Sequence, residues 1–269
     1  MKMKKCQIIP IAICLLCVVI FSACGRKEVS DSPLNPPPDP TIIQGLEASI
    51  LERTDGIEIR WYRHTEANRY WIYRSTSRTA MGEGIGEIND IQYLDIKSEK
   101  NPLKEETPYY YRVTWVNADT AEFGQDIIPV MGVFSSVVDE LEPNNRFEKP
   151  KKLDVGREYD SYICAFIDGG GEVAIDEDWY VYEREEMEHG SLSVVITLPD
   201  DSPFIGHLKL WFYHQDGISW GDGDLLSVPS KMCVYPFPPD VSKVYFRIAP
   251  VGIAENIGIG SYKIQLFLR

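Results

Sequence analysis

The chain has 269 residues, with 27 Lys+Arg against 41 Asp+Glu and a formal charge of −14. A surface this acidic repels phosphate backbones and anionic head groups, which excludes nucleic acid as a partner and leaves cations and neutral ligands. The length suits one large or two ordinary domains with real hydrophobic cores.

The first predicted element is a leader. Lys2, Lys4 and Lys5 form a basic start, Ile8 to Phe21 an apolar run broken by Pro10, and Ser22-Ala23-Cys24 a small-residue cleavage site. The run is short of the roughly 20 residues that a membrane span needs. The mature protein is therefore expected outside the cytoplasm. Without residues 1–23 the chain keeps 24 Lys+Arg against 41 Asp+Glu, a charge of −17.

Phe21-Ser22-Ala23-Cys24 resembles a bacterial lipobox, with Phe21 in place of the usual Leu. The resemblance implies that the Cys24 thiol receives a diacylglycerol, that the peptide before it is removed, and that acyl chains such as palmitate anchor the protein to a membrane. Each buried CH₂ contributes about 0.8 kcal/mol, so two or three chains suffice. An ordinary secretory signal that contains a cysteine is the alternative. Gly25-Arg26 lacks the Asp that retains many lipoproteins at an inner membrane, which points to the outer membrane of an envelope that has one, on its periplasmic or surface face. Of the remaining cysteines, Cys164 and Cys233 either pair as a disulfide in that oxidising compartment or stand as inert buried thiols. Neither has a CxxC partner or a neighbouring His.

Residues 24–40 are polar and proline-rich and read as an extended tether. Strand patterns dominate beyond it. Leu46, Ala48 and Ile50 alternate, then Ile57, Ile59 and Trp61, then Tyr70 to Arg74, then Tyr109, Tyr111, Val113 and Trp115. Residues 41–138 resemble a fibronectin type III domain. The matching blocks are Ile57 to Trp61, Tyr70 to Ser75, Tyr93 to Asp95 and, above all, Leu103 to Val113. The resemblance implies that Trp61 is the core tryptophan and that the Tyr109 hydroxyl bonds back to the backbone upstream, as a tyrosine corner.

Residues 139–269 resemble the bacterial pre-peptidase C-terminal domain, a jelly-roll-like sandwich related to collagenase collagen-binding domains. The blocks are Glu142-Pro143-Asn144-Asn145 with Phe147 and Leu153, Asp176 to Tyr180, and Gly260 to Ile264. Alternating segments fall between them at Tyr162 to Ile167, Leu192 to Leu198, Leu208 to Tyr213 and Val244 to Ile248. The expected fold class is thus all-β, two β-sandwiches in tandem, fibronectin type III-like and then jelly-roll-like.

A calcium ion needs six to eight oxygen ligands. Glu140-x-Glu142-x-Asn144 offers alternating oxygen side chains if the segment is extended, and Asp176-x-Asp178 offers two more. The collagen-binding relatives join such an acidic linker to an Asp-rich strand end around calcium. Carried over, Glu140, Glu142, Asn144, Asp176 and Asp178 are the expected ligands, with Asn145 standing where those relatives often have Asp. The alternative use of these residues is to cap strands and turns.

The Asp216 to Asp224 loop lacks the distal Glu of an EF-hand. Within it Gly217 to Gly221 spells G-x-S-x-G, but no helix can start after Ser219, as that motif requires in a hydrolase. The histidines form no metal-binding spacing. Among aromatics on expected outer faces or loops, which include Trp71, Tyr110, Trp211 and Tyr213, Trp220 is the ligand-binding candidate because its Gly-rich surroundings have no core-facing period. The expected function is non-catalytic binding of an extracellular or envelope protein or glycan, calcium being the only cofactor. The rival readings are a structural or assembly component of the envelope, and a hydrolase with an unfamiliar site at the domain junction.

Overall fold

The computed structural model describes residues 42–99, 101–117, 122–123, 128–184, 190–237 and 241–269. The leader, Cys24, the tether and His189 lie outside the described residues. Every regular element among the described residues is a strand.

Among the described residues eight strands build the first sandwich: β1 (Glu47–Ala48), β2 (Gly56–Arg60), β3 (Arg69–Ser75), β4 (Glu83–Ile88), β5 (Gln92–Ile96), β6 (Tyr109–Asn117), β7 (Glu122–Phe123) and β8 (Val130–Gly132). One sheet has the order β1-β2-β5 and the other β4-β3-β6-β7, with β8 also on β6. Alternation along β2, β3 and β6 puts Ile57, Ile59, Tyr70, Ile72, Tyr111, Val113 and Trp115 into one core, because successive side chains leave a strand on opposite faces. Trp61 joins them, edge-on to Tyr70 at 5.3 Å between ring centroids. The Tyr109 hydroxyl accepts the Lys104 N–H at 3.0 Å, so the expected tyrosine corner is present.

The second sandwich has ten strands among the described residues: β9 (Lys151–Lys152), β10 (Glu158–Ile167), β11 (Val173–Ile175), β12 (Asp178–Glu183), β13 (Ser191–Thr197), β14 (Leu208–Tyr213), β15 (Ser219–Leu226), β16 (Ser230–Pro236), β17 (Lys243–Pro250) and β18 (Gly258–Leu268). Its sheets run β11-β10-β18-β13-β16 and β15-β14-β17-β12-β9. The chain changes sheet at nearly every connection, as a jelly-roll-like sandwich does, and the two inner faces share one large core that includes Ile163, Tyr180, Val194, Leu210, Phe246 and Ile264. A second corner appears here that the sequence reading did not foresee. Tyr159 accepts the Asp154 N–H at 2.9 Å, across the same five-residue separation as Lys104 and Tyr109.

A third apolar cluster joins the sandwiches. Ile50, Leu51, Tyr110 and Val133 of the first pack against Cys164, Phe166 and Ala174 of the second. Backbone bonds cross the joint from Asp139 N to the Leu51 carbonyl at 2.9 Å and from Gly169 N to the Thr76 carbonyl at 2.7 Å, and Asp168 accepts the Arg78 N–H at 2.8 Å.

Two expectations change here, and the alternatives for the cysteines resolve into one. Ile50 leaves the face of Leu46 and Ala48 to enter the joint, because β1 is only two residues long and its alternation does not continue. Tyr110 is buried rather than outward, since the face of β6 away from the first core is covered by the second sandwich. Cys164 and Cys233 are free buried thiols. They stand on strands β10 and β16 with β18 and β13 between, three strand spacings or ~14 Å, twice the reach of a disulfide, and they enter different apolar clusters.

Candidate metal centre

Strand β12 starts at Asp178, and Asp176 closes the turn that leads into it from β11. Beside them runs the segment that connects the two sandwiches. Asp139 organises that segment: its carboxylate accepts the Leu141 N–H at 2.8 Å, the Tyr162 N–H at 2.6 Å and the Ser161 hydroxyl at 2.7 Å. The chain turns at Glu140–Leu141, then reaches Glu142, whose Oε2 accepts the Asn144 N–H at 2.8 Å and the Asn145 side-chain amide at 3.0 Å. Asn144 in turn accepts the Trp179 N–H on its carbonyl at 2.7 Å, which docks the segment on β12.

The result is a closed set of oxygens. One carboxylate oxygen from each of Glu142, Asp176 and Asp178 lies within 4.8 Å of the others, and all three residues are buried. Five oxygens, Glu142 Oε1, Asn144 Oδ1, Asn145 Oδ1, Asp176 Oδ2 and Asp178 Oδ1, have no hydrogen-bond partner among the described residues, and neither has the Asn144 Nδ2 donor. Leaving one buried polar atom unpaired costs roughly 1–3 kcal/mol, more when it is charged, so five together call for a common partner. A hard cation would fit that need by size and by chemistry. Oxygens bound to one calcium at 2.3–2.6 Å stand at most ~5 Å apart, as one oxygen of each of the three carboxylates does, and carboxylates beside amide oxygens with no imidazole or thiolate would suit calcium rather than a softer metal.

Electrostatics agree. Burial first, then the neighbouring Asp176 and Asp178 charges, push the Glu142 carboxyl well above the usual range. Burial and the Asp139 charge do the same to Asp176, and burial with the Asp176 charge to Asp178. Three such groups cannot all ionise side by side without a cation.

Asp178 also ends a buried chain of hydroxyls. Tyr262 OH bonds Asp178 Oδ2 at 2.5 Å, Tyr180 and Tyr262 hydroxyls meet at 2.6 Å, Tyr180 and Ser161 at 3.0 Å, and Ser161 reaches Asp139. These four contacts share three hydroxyl hydrogens, so a fourth proton on a terminal carboxyl is needed to fill them all. Asp139 already accepts two N–H bonds. Burial raises both terminal carboxyls, Asp178 further than Asp139, so Asp178 would hold that proton when no cation is bound.

Of the expected ligands, Glu142, Asn144, Asp176 and Asp178 converge. Glu140 does not. The turn at Glu140–Leu141 interrupts the alternation that would have aimed it inward, and its side chain is exposed. Asp139, overlooked in the sequence, is the inward acid; its place one residue before the acidic run disguised it as the domain boundary. Trp220 is 45% exposed, but it lies on edge strand β15 rather than in a loop, and packs edge-on against His214 and Tyr235. Ser219 opens the same strand, far from the strand-to-helix turn a G-x-S-x-G nucleophile needs. Trp211 and Tyr213 are half-buried around Arg247, whose guanidinium sits 4.2 Å from the Trp211 ring centre and also faces Trp179.

No protein-family model matches the chain, and no curated protein does. Solved structures do. A Fn3-like protein from Clostridium thermocellum shares 21% identity over 35% of this chain and 93% of its own, with a TM-score of 0.30. A structure of carbohydrate-binding modules from the β-sandwich superfamily shares 12% over 83% and 96%, with a TM-score of 0.26. A segment of two fibronectin type III domains from chicken tenascin shares 13% over 84% and 99%, with a TM-score of 0.24.

Proposed function

We propose that this protein is a non-catalytic binding module, held at a bacterial envelope through lipidated Cys24 and organised by one structural calcium ion in its second sandwich. The observation that carries the reading is the burial of Glu142, Asp176 and Asp178 with their unpaired oxygens. An ion held there would lie among buried side chains, which supports a role in folding and positioning the second sandwich. Glu142, Asn144, Asp176 and Asp178 would hold it. The acidic surface and the exposed Trp220 and Trp71 support a partner read by aromatic and neutral polar contacts, an envelope or matrix protein or a glycan.

The reading is tested by presenting the lipidated chain to glycan and matrix-protein arrays in calcium and in chelator, alongside a panel of hydrolase substrates. Saturable binding that is lost in chelator, with no turnover, is the expected result. Turnover of any substrate that tracks the protein would overturn it.

A further inference from the structure

A cleft of about 210 Å³ opens at the joint between the sandwiches. Its apolar wall comes from both of them, with Ile50 and Met131 from the first and Pro143 and Ile175 from the second. Its charged rim is unequally matched. Lys149 and Arg146 both pair with Glu47, at 2.6 and 3.3 Å, and Arg60 pairs with Glu58 at 2.5 Å. Glu52 also lines the cleft, half-buried, and has no hydrogen bond or ion pair among the described residues. All three cations of the rim are thus engaged by other acids; of the remaining carboxylates Glu177 pairs with Arg247 at 3.4 Å and Asp176 belongs to the candidate metal centre, which leaves Glu52. Burial pushes the Glu52 carboxyl upward, with the Glu58 and Glu47 charges adding to the rise and the Arg60 and Lys149 charges opposing it.

We propose that this cleft binds a primary alkylammonium group, whose methylenes lie on the Ile50, Met131 and Ile175 surface and whose –NH₃⁺ pairs with Glu52. A partly desolvated carboxylate gains most from an ion partner that also donates hydrogen bonds, and an ammonium offers three donors. An anion is disfavoured by Glu52 itself, and a purely apolar ligand would bury that carboxylate further without a partner. The acidic surface steers cations toward the joint. Two sources carry this chemistry, a free amine and the lysine side chain of a partner protein.

The test uses the full chain in a non-ionic detergent with ¹³C-methyl-labelled methionine, the Met131 resonance being assigned with Met131→Leu. Pentylammonium chloride should shift the Met131 methyl saturably, while 1-pentanol and sodium pentanoate should not. Glu52→Gln, with its other methionine signals unmoved as proof of folding, should weaken the response about tenfold. A blocked Gly-Lys-Gly peptide that produces the same shift identifies a protein lysine as the source, and a response to the amine alone identifies a free amine. No saturable shift, an equal response to 1-pentanol, or an unchanged affinity in Glu52→Gln would overturn the proposal.

Discussion

The Tyr262 hydroxyl lies 2.5 Å from Asp178 Oδ2, at the inner end of β12, and ties the carboxylate of a candidate cation ligand to a hydroxyl chain that runs through the core to Asp139. Cation binding and the core's hydrogen bonding therefore share one group. The consequences are measurable.

Calcium should raise the melting temperature over chelator. A ligand that binds only the folded state stabilises it by RT ln(1 + [L]/Kd), about 2.7 kcal/mol at a hundredfold excess over Kd. Magnesium should substitute poorly, since it demands tight octahedral geometry and keeps its waters. Asp178→Asn should abolish the calcium response while melting no lower than wild type in chelator, because its neutral amide replaces a carboxyl that is already protonated without a cation and keeps the shape and a hydrogen-bonding group for Tyr262. Identical wild-type melting curves in calcium and chelator would count against the centre.

The pH dependence has a definite sign. Glu142, Asp176 and Asp178 are all raised in the fold, so the folded state holds protons that the unfolded chain releases near pH 4. In chelator, their contribution is therefore fully present below about pH 4 and is lost as pH rises from there through the raised values. Calcium should oppose that loss, since it binds the ionised carboxylates and expels the proton from Asp178. Calorimetric titration in two buffers of different ionisation enthalpy should show proton release on calcium binding near neutral pH. A heat independent of buffer would contradict the proton assigned to Asp178.

Both tyrosine corners are structural. Tyr109→Phe and Tyr159→Phe should each cost about 1 kcal/mol by losing a hydrogen bond to the Lys104 or Asp154 N–H. Trp61→Ala should cost more, about 3–5 kcal/mol, by opening a cavity in the first core. Denaturant melts of the single variants check both figures, and the two tyrosine effects should add, since they lie in separate cores.

Cys24→Ser should abolish labelling by a fatty-acid analogue and move the chain from the membrane to the soluble fraction. Labelling that persists in the variant would place the lipid elsewhere.

Much of this architecture could be read from alternation alone. Tyr109, Tyr111, Val113 and Trp115 announce a strand face because a period of two is a local property, and the blocks at Leu192, Leu208 and Val244 do so for the same reason. The meeting of Glu142 with Asp176 and Asp178 was also legible, through a resemblance whose pattern joins segments far apart in the chain. That reading includes Glu140 as a ligand and gives Asp139 no part, because a turn resets the side-chain direction and the bonds that anchor Asp139 come from Ser161 and Tyr162, distant in sequence. Tyr110 and Cys164 carry no local mark of the joint they share. Whether an alternating face meets water or another domain is settled by what packs on it, and that depends on contacts between residues far apart in the chain.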